Sequence, residues 1–379
     1  MKVENFKLEK NKKTFAVLGD NHIGRTLQKY DMSSHSVNVL YQFTDMCAGM
    51  DVDFSVLLGD VFDKPTPKLE HQIQFIEWLQ FHAANVPYTY ILIGNHETHP
   101  YRFYYGHSAL GIIEVMNIPN VKIVSRPLYE NGYLFLPFPS PAIYANQEEY
   151  DFDVQEQITS DHALLQSTDF CDERDVICAF THLNIIGAKV NDTAWEYRGG
   201  EYCYNLPYKA IAGHIHKQQV CDNVFVLGAA GRLRFSEKDN PADMLVAVGD
   251  SLYLKPIDFP RMLEIEGATQ ETTEEVCAYL DSYLSDAHVD PSDYIVKVHC
   301  KESSVDWSAV KAHLLNVGVL HVMLTPIEVQ KPKPSVVEVV KSKSEKDYMK
   351  EFLSKTVPSE RIPSVLNTWD GIVGRGGIA

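Results

Sequence analysis

The chain has 379 residues, with 51 acidic against 34 basic side chains and a formal charge of −17. Its 45% hydrophobic and 22% charged residues give the balance of a globular protein rather than a disordered one, and its length fits two domains or one large domain with appendages. The acidity excludes a general polyanion binder, which needs a basic surface, and seven scattered cysteines with no CxxC pair argue against a disulfide framework or thiolate zinc site.

The polar start, Met1–Lys7, lacks the apolar core of a secretory signal. No run approaches the ~20 apolar residues of a membrane span, so the expected location is the reducing cytoplasm of a bacterial or phage-infected cell, with no membrane partner. Thr14–Gly19, Phe54–Leu58 and Tyr88–Ile93 are short apolar runs, each ending at or just before a glycine, and read as buried strands. Between the second and third, Leu69, Ile73, Ile76 and Leu79 recur at helical spacing. Strand–helix–strand repetition predicts parallel strands joined by right-handed crossovers. Further strands are predicted at Tyr133–Leu136, Val176–Phe180, Lys209–Ala212 and Val224–Leu227, then a hairpin turning at Gly249-Asp250. After Pro260 the pattern becomes β-α-β-α-β up to Leu324. Lys331–Lys346 has linker composition. Two short amphipathic helices are then predicted, with Tyr348, Phe352 and Leu353 on the first and Ile362, Leu366 and Trp369 on the second.

Five motifs fall where strand readings end: Gly19-Asp20-Asn21-His22, Gly59-Asp60, Gly94-Asn95-His96-Glu97, Thr181-His182 and Gly213-His214-Ile215-His216. Sites in open α/β sheets are built at that edge. The donors are all oxygen or imidazole, which suits Mn²⁺, Fe²⁺, Zn²⁺ or Mg²⁺. Asp20, His22, Asp60, Asn95, His182, His214 and His216 are too many for one tetrahedral ion and fit two ions sharing a carboxylate.

The ordered set resembles the calcineurin-like metallophosphoesterase superfamily. Within it, Gly59-Asp60-Val61-Phe62-Asp63 and Leu227–Glu237 resemble the SbcD-type DNA double-strand-break repair nucleases. The resemblance implies an α/β fold: a sandwich of two β-sheets flanked by helices, a small α+β capping domain and C-terminal helices. Its boundaries would be 1–258 for the nuclease domain, 259–330 for the cap, 331–346 for the linker and 347–379 for helices that dock on an ATPase partner. It implies Asp20, His22 and His216 on one metal, Asn95, His182 and His214 on the other, and Asp60 as the bridge. Mn²⁺ is the implied metal, His96 the catalytic residue that protonates the leaving oxygen, and Glu97 the carboxylate that orients an imidazole. Arg232 and Arg234 are candidate DNA contacts. The implied function is exonuclease or endonuclease action on DNA ends, hairpins or single strands, in complex with an SbcC-type ABC-ATPase and as a homodimer. Ser33–Met50, with Val37, Leu40, Tyr41 and Phe43, and His107–Met116 are the candidate dimer segments. A stand-alone enzyme acting on a small phosphoester or nucleotide is the alternative.

Overall fold

The computed structural model of the protein describes residues 2–98, 108–139, 176–190, 203–265, 272–286, 290–300 and 305–326. Contacts divide the chain into two units, Met1–Ile327 and Glu328–Ala379. All described residues belong to the first, so the predicted linker and C-terminal helices lie outside them.

Two β-sheets form the body. In the first, Thr14–Leu18, Phe54–Leu57, Thr89–Leu92 and Val121–Val124 run parallel, in that spatial order. Asp243–Val248, Ser251–Pro256 and Lys2–Lys7 extend it antiparallel from Thr14–Leu18. In the second sheet, Tyr133–Leu136, Cys178–Thr181, Ala210–Ala212 and Val224–Val226 run parallel, with antiparallel edges at Leu128–Glu130 and Gln219–Cys221. Alternate residues point to opposite faces of a strand. Phe15 and Val17 accordingly enter a core shared with Phe54, Tyr90, Phe135, Phe180 and Phe225, which fills the space between the sheets. Ala16 and Leu18 face the other way, onto the helices Ser33–Gly49 and Leu69–Asn85. Covered on both faces, these strands carry unbroken apolar runs, which is why they stand out in the sequence.

Three features differ from the sequence reading. Lys2–Lys7 is an edge strand, with Val3 and Phe6 buried and the polar positions Lys2, Glu4 and Lys7 exposed. In Leu69–Asn85 the buried face is His71, Phe75, Trp78, Leu79 and His82, while Leu69 is 69% and Ile73 46% exposed; the aromatic side chains bury more area and decide the orientation. In Ser33–Gly49, Leu40 and Phe43 belong to the core and only Tyr41 of the proposed dimer face is exposed. Outward-facing apolar side chains lie instead on the helix Gly111–Met116, at Ile112, Val115 and Met116.

From Arg261 the elements follow in the predicted order. Arg261–Ile265, Tyr294–Cys300 and His321–Pro326 form a parallel three-stranded sheet, and the helices Thr273–Asp286 and Trp307–Val317 cover it. Its own core includes Val276, Leu280, Val296, Val310 and Leu314. Met262, Ile295 and Met323, on the opposite face, pack onto the main core. The second helix is capped at both ends: Asp306 accepts hydrogen bonds from the Ser308 and Ala309 amides, and Gly318 adopts φ +107°. No helix among the described residues is long and apolar enough to cross a membrane.

Candidate metal centre

The parallel strands of both sheets end at one site. Thr14–Leu18 delivers Asp20 and His22, Phe54–Leu57 delivers Asp60, and Thr89–Leu92 delivers Asn95 and His96. From the second sheet, Cys178–Thr181 delivers His182, and Ala210–Ala212 delivers His214 and His216. All seven sequence-predicted donors come together. They fall into two groups: Asp20, His22 and His216, and Asp60, His182 and His214. Asn95 joins the second group, its Oδ1 lying 2.8 Å from His214 Nδ1 and 3.2 Å from His182 Nε2. Asp60 faces both, with Oδ2 3.3 Å from His182 Nε2 and 3.7 Å from His22 Nε2.

This donor set fits divalent cations. Asp20 Oδ2 is buried without a hydrogen-bond partner, 3.5 Å from His216 Nε2, and His22 Nε2 lies 3.2 Å from His216 Nε2. Converging lone pairs of this kind are stabilised by a shared positive charge. The second nitrogen of most imidazoles is committed elsewhere. His182 Nδ1 donates to the Leu58 carbonyl at 2.7 Å, His216 Nδ1 to Glu237 Oε1 at 2.9 Å, and His96 Nδ1 to the Asp63 carbonyl at 2.8 Å. His214 Nε2 meets Asn184 Oδ1 at 2.7 Å.

Among the described residues, Glu97 bonds to no imidazole. Fully buried, it accepts from the Asp60, Phe62 and Gly94 amides at 3.0, 3.0 and 2.7 Å, and so ties the Asp60 and Asn95 loops together. The extra methylene of glutamate lets one carboxylate span both loops, and a backbone carbonyl holds His96 instead. Asp60 Oδ1 completes the tie by accepting from the His96 amide at 2.9 Å. Gly94 is obligatory here, because a Cβ would collide with the Asp60 side chain and amide. His22, Asp60 and His214 have φ of 50°, 49° and 70°. That region costs a residue other than glycine roughly 1–3 kcal/mol and recurs at functional sites.

Protonation follows from charge and burial. For Asp60, burial works against ionisation, but His182 and His22 hold its carboxyl well below the usual range. Burial opposes charge on His182, yet the Asp60 and Asp20 carboxylates lift it to about 9. Burial, followed by repulsion from His182, pushes His214 down to about 3. Burial and the charge of Asp60 push Glu97 up, while the amides that donate to it favour its carboxylate form. The carboxylates that favour a proton on His182 would equally favour a divalent cation in its place.

The centre opens into a cleft of about 180 Å³ lined by Asp60, Asn95, His96, His214, His216 and Arg234. Arg234 is exposed there. Arg232 is not among the cleft residues; it is partly buried, and its Nη1 lies 3.5 Å from the Phe259 carbonyl. Two contacting residues, Asn184 and Glu237, escape sequence reasoning. The signal for Asn184 is its spacing in His182-x-Asn184, which repeats that of His214-x-His216; a lone acidic residue such as Glu237 gives none.

The family profile described as calcineurin-like phosphoesterase matches residues 13–218, more than half of the chain and all seven donors. No curated protein matches. Among solved structures, the chain is similar to the crystal structure of Pseudomonas putida nuclease MPE, at 11% identity and a TM-score of 0.26, over 62% of this chain and 72% of that one.

Proposed function

The chain belongs to the calcineurin-like phosphoesterase family, and from that premise we propose that it is a Mn²⁺-dependent DNA nuclease subunit that processes DNA ends with an SbcC-type ABC-ATPase. One observation supports two-ion phosphoester hydrolysis above other chemistries: two donor groups share Asp60 and open onto a cleft that also presents His96 and Arg234. Asp20, His22 and His216 would hold one ion, Asn95, His182 and His214 the second, and Asp60 both. When bound, such ions supply Lewis-acid charge to the phosphoryl oxygens and activate water. The chain's own groups do the rest. Arg234 engages a phosphate oxygen at the cleft mouth, where a guanidinium suits a phosphate. His96 is anchored through Nδ1, which leaves Nε2 to take up a proton from solvent and, as the imidazolium, give it to the departing 3′-oxygen.

The resemblance of Gly59–Asp63 and Leu227–Glu237 to SbcD-type nucleases supports DNA as the substrate. The three-stranded unit 261–326 would act as the cap, and 347–379 would dock on the ATPase; deleting residues after Lys331 should abolish that association without lowering thermal stability. A second copy of the chain would pack on the exposed Ile112, Val115 and Met116, and Val115→Asp should then yield monomers by sedimentation.

The test is Mn²⁺-dependent cleavage of duplex ends, with and without an SbcC-type ATPase, beside a small chromogenic diester. Cleavage of ends that rises with the ATPase is the expected result. Turnover of the diester alone would replace this reading with the small-phosphoester one.

A further inference from the structure

We propose that Asn184 is a positioning residue that fixes His214 as the Nε2–H tautomer, so that His214 Nδ1 and Asn95 Oδ1 turn their lone pairs to one cation. The inference rests on the two-ion reading above and deepens it.

His214 stands between two amide oxygens, Asn184 Oδ1 at 2.7 Å from Nε2 and Asn95 Oδ1 at 2.8 Å from Nδ1. A neutral imidazole carries a single N–H. One of these contacts is therefore a hydrogen bond, and the other sets lone pair against lone pair unless a cation lies between them. The surroundings decide which. Asn95 Oδ1 also lies 3.2 Å from His182 Nε2, and His182 has already committed its Nδ1–H to the Leu58 carbonyl. Asn95 Oδ1 thus already faces a second imidazole nitrogen, His182 Nε2, which also lies 3.3 Å from Asp60 Oδ2 and is the nitrogen a cation would take. Among the described residues, Asn184 Oδ1 meets His214 alone and takes its proton.

The backbone holds Asn184 to this task. Leu183 and Ile185, on either side, are buried in the outer core of the second sheet, and Asn184–Ile185 pairs with Cys203–Tyr204. The alternation that aims His182 at the centre therefore aims Asn184 at it too. The same division recurs in reverse at the other end of Gly-His-Ile-His. His216 donates Nδ1–H to Glu237 and presents Nε2 to Asp20 and His22. One four-residue motif thus offers a different ring nitrogen to each group, and each choice is made by a residue outside the motif.

The decisive measurement is long-range ¹H–¹⁵N correlation on the full, metal-free chain, with the His214 signals assigned by their loss in His214→Gln. An Nε2–H tautomer in the wild type is expected; an Nδ1–H tautomer would overturn the proposal with no variant needed. Asn184→Leu, of similar volume but without the acceptor, should mix the tautomers. In calorimetric titration with Mn²⁺ it should weaken one of the two ions ~10- to 100-fold and leave the other unchanged, and Asn184→Asp should restore the tight site. Equal Mn²⁺ affinities in wild type and Asn184→Leu would also overturn it. A wild type that binds fewer than two Mn²⁺ would strike instead at the two-ion reading, whereas the metal-free tautomer would still judge Asn184.

Discussion

Asp60 is the residue on which the centre turns: one carboxylate oxygen fastens the His96 amide and the other faces both donor groups. Asp60→Ala is expected to lose both Mn²⁺ ions by calorimetry, whereas His96→Ala should retain both and lose most cleavage. Equal metal content in wild type and Asp60→Ala would contradict the shared role. Glu97→Gln sets an amide NH₂ against backbone donors that now share one carboxylate. A buried donor left unsatisfied costs about 1–3 kcal/mol, so a fall of that size in the unfolding free energy from chemical denaturation is expected before any metal is added. The converging donors are legible in the sequence because each is a polar residue at the end of an apolar run. The groups behind them are not. Asn184 and Glu237 lie far along the chain from the imidazoles they hold, except for the two-residue spacing at Asn184, and the positive φ of His22, Asp60 and His214 has no sequence mark, since these are not glycines.

Among the helices, the pair Ser33–Gly49 and Leu69–Asn85 carries a buried polar chain that the apolar stripe concealed. Trp78 Nε1 donates to Thr44 Oγ1, Thr44 Oγ1 pairs with His82 Nδ1 at 2.8 Å, His82 Nε2 with Ser55 Oγ at 2.9 Å, and Ser55 Oγ donates to Thr89 Oγ1. Burial holds His82 down to about 3, against an ordinary 6.5. The unfolded chain gains a proton there as pH falls through 6.5, and the folded chain does not until far lower. The stabilising contribution is therefore whole above about pH 6.5 and is lost on acidification toward 3. At pH 5.5 the loss should be about 1.4 kcal/mol. Thermal melts between pH 7 and 5 should show a shallower decline for His82→Gln than for wild type, and parallel declines would refute the assignment. The strands were read well because both their faces are apolar. Lys2–Lys7 was not, since an edge strand keeps its charged residues in water, and Leu69 and Ile73 misled because regular spacing does not say which of two stripes is larger.

Across the molecule, a charge of −17 sets the terms for any polyanion. Affinity of the isolated chain for duplex DNA should be weak and steeply reduced by salt, and tight binding at physiological ionic strength would contradict the proposed dependence on a partner. Mn²⁺ at about 100 times its dissociation constant should stabilise the fold by about 2.7 kcal/mol per site, seen as a higher melting temperature that chelation reverses. Asp20, His22, Asp60 and Asn95 belong to one sheet and His182, His214 and His216 to the other, with Phe15, Phe54, Phe135 and Phe180 packed between them, Phe15 stacked on Phe54, Phe135 on Phe180, and Phe15 edge-on to Phe180. The aromatic filling therefore works as a calliper, whose thickness sets how far apart the two banks of donors stand. Trimming one of those rings, far from any reacting atom, would retune the separation of the two donor groups and with it the phosphoesters they suit, so selectivity would drift among relatives whose donor residues never change.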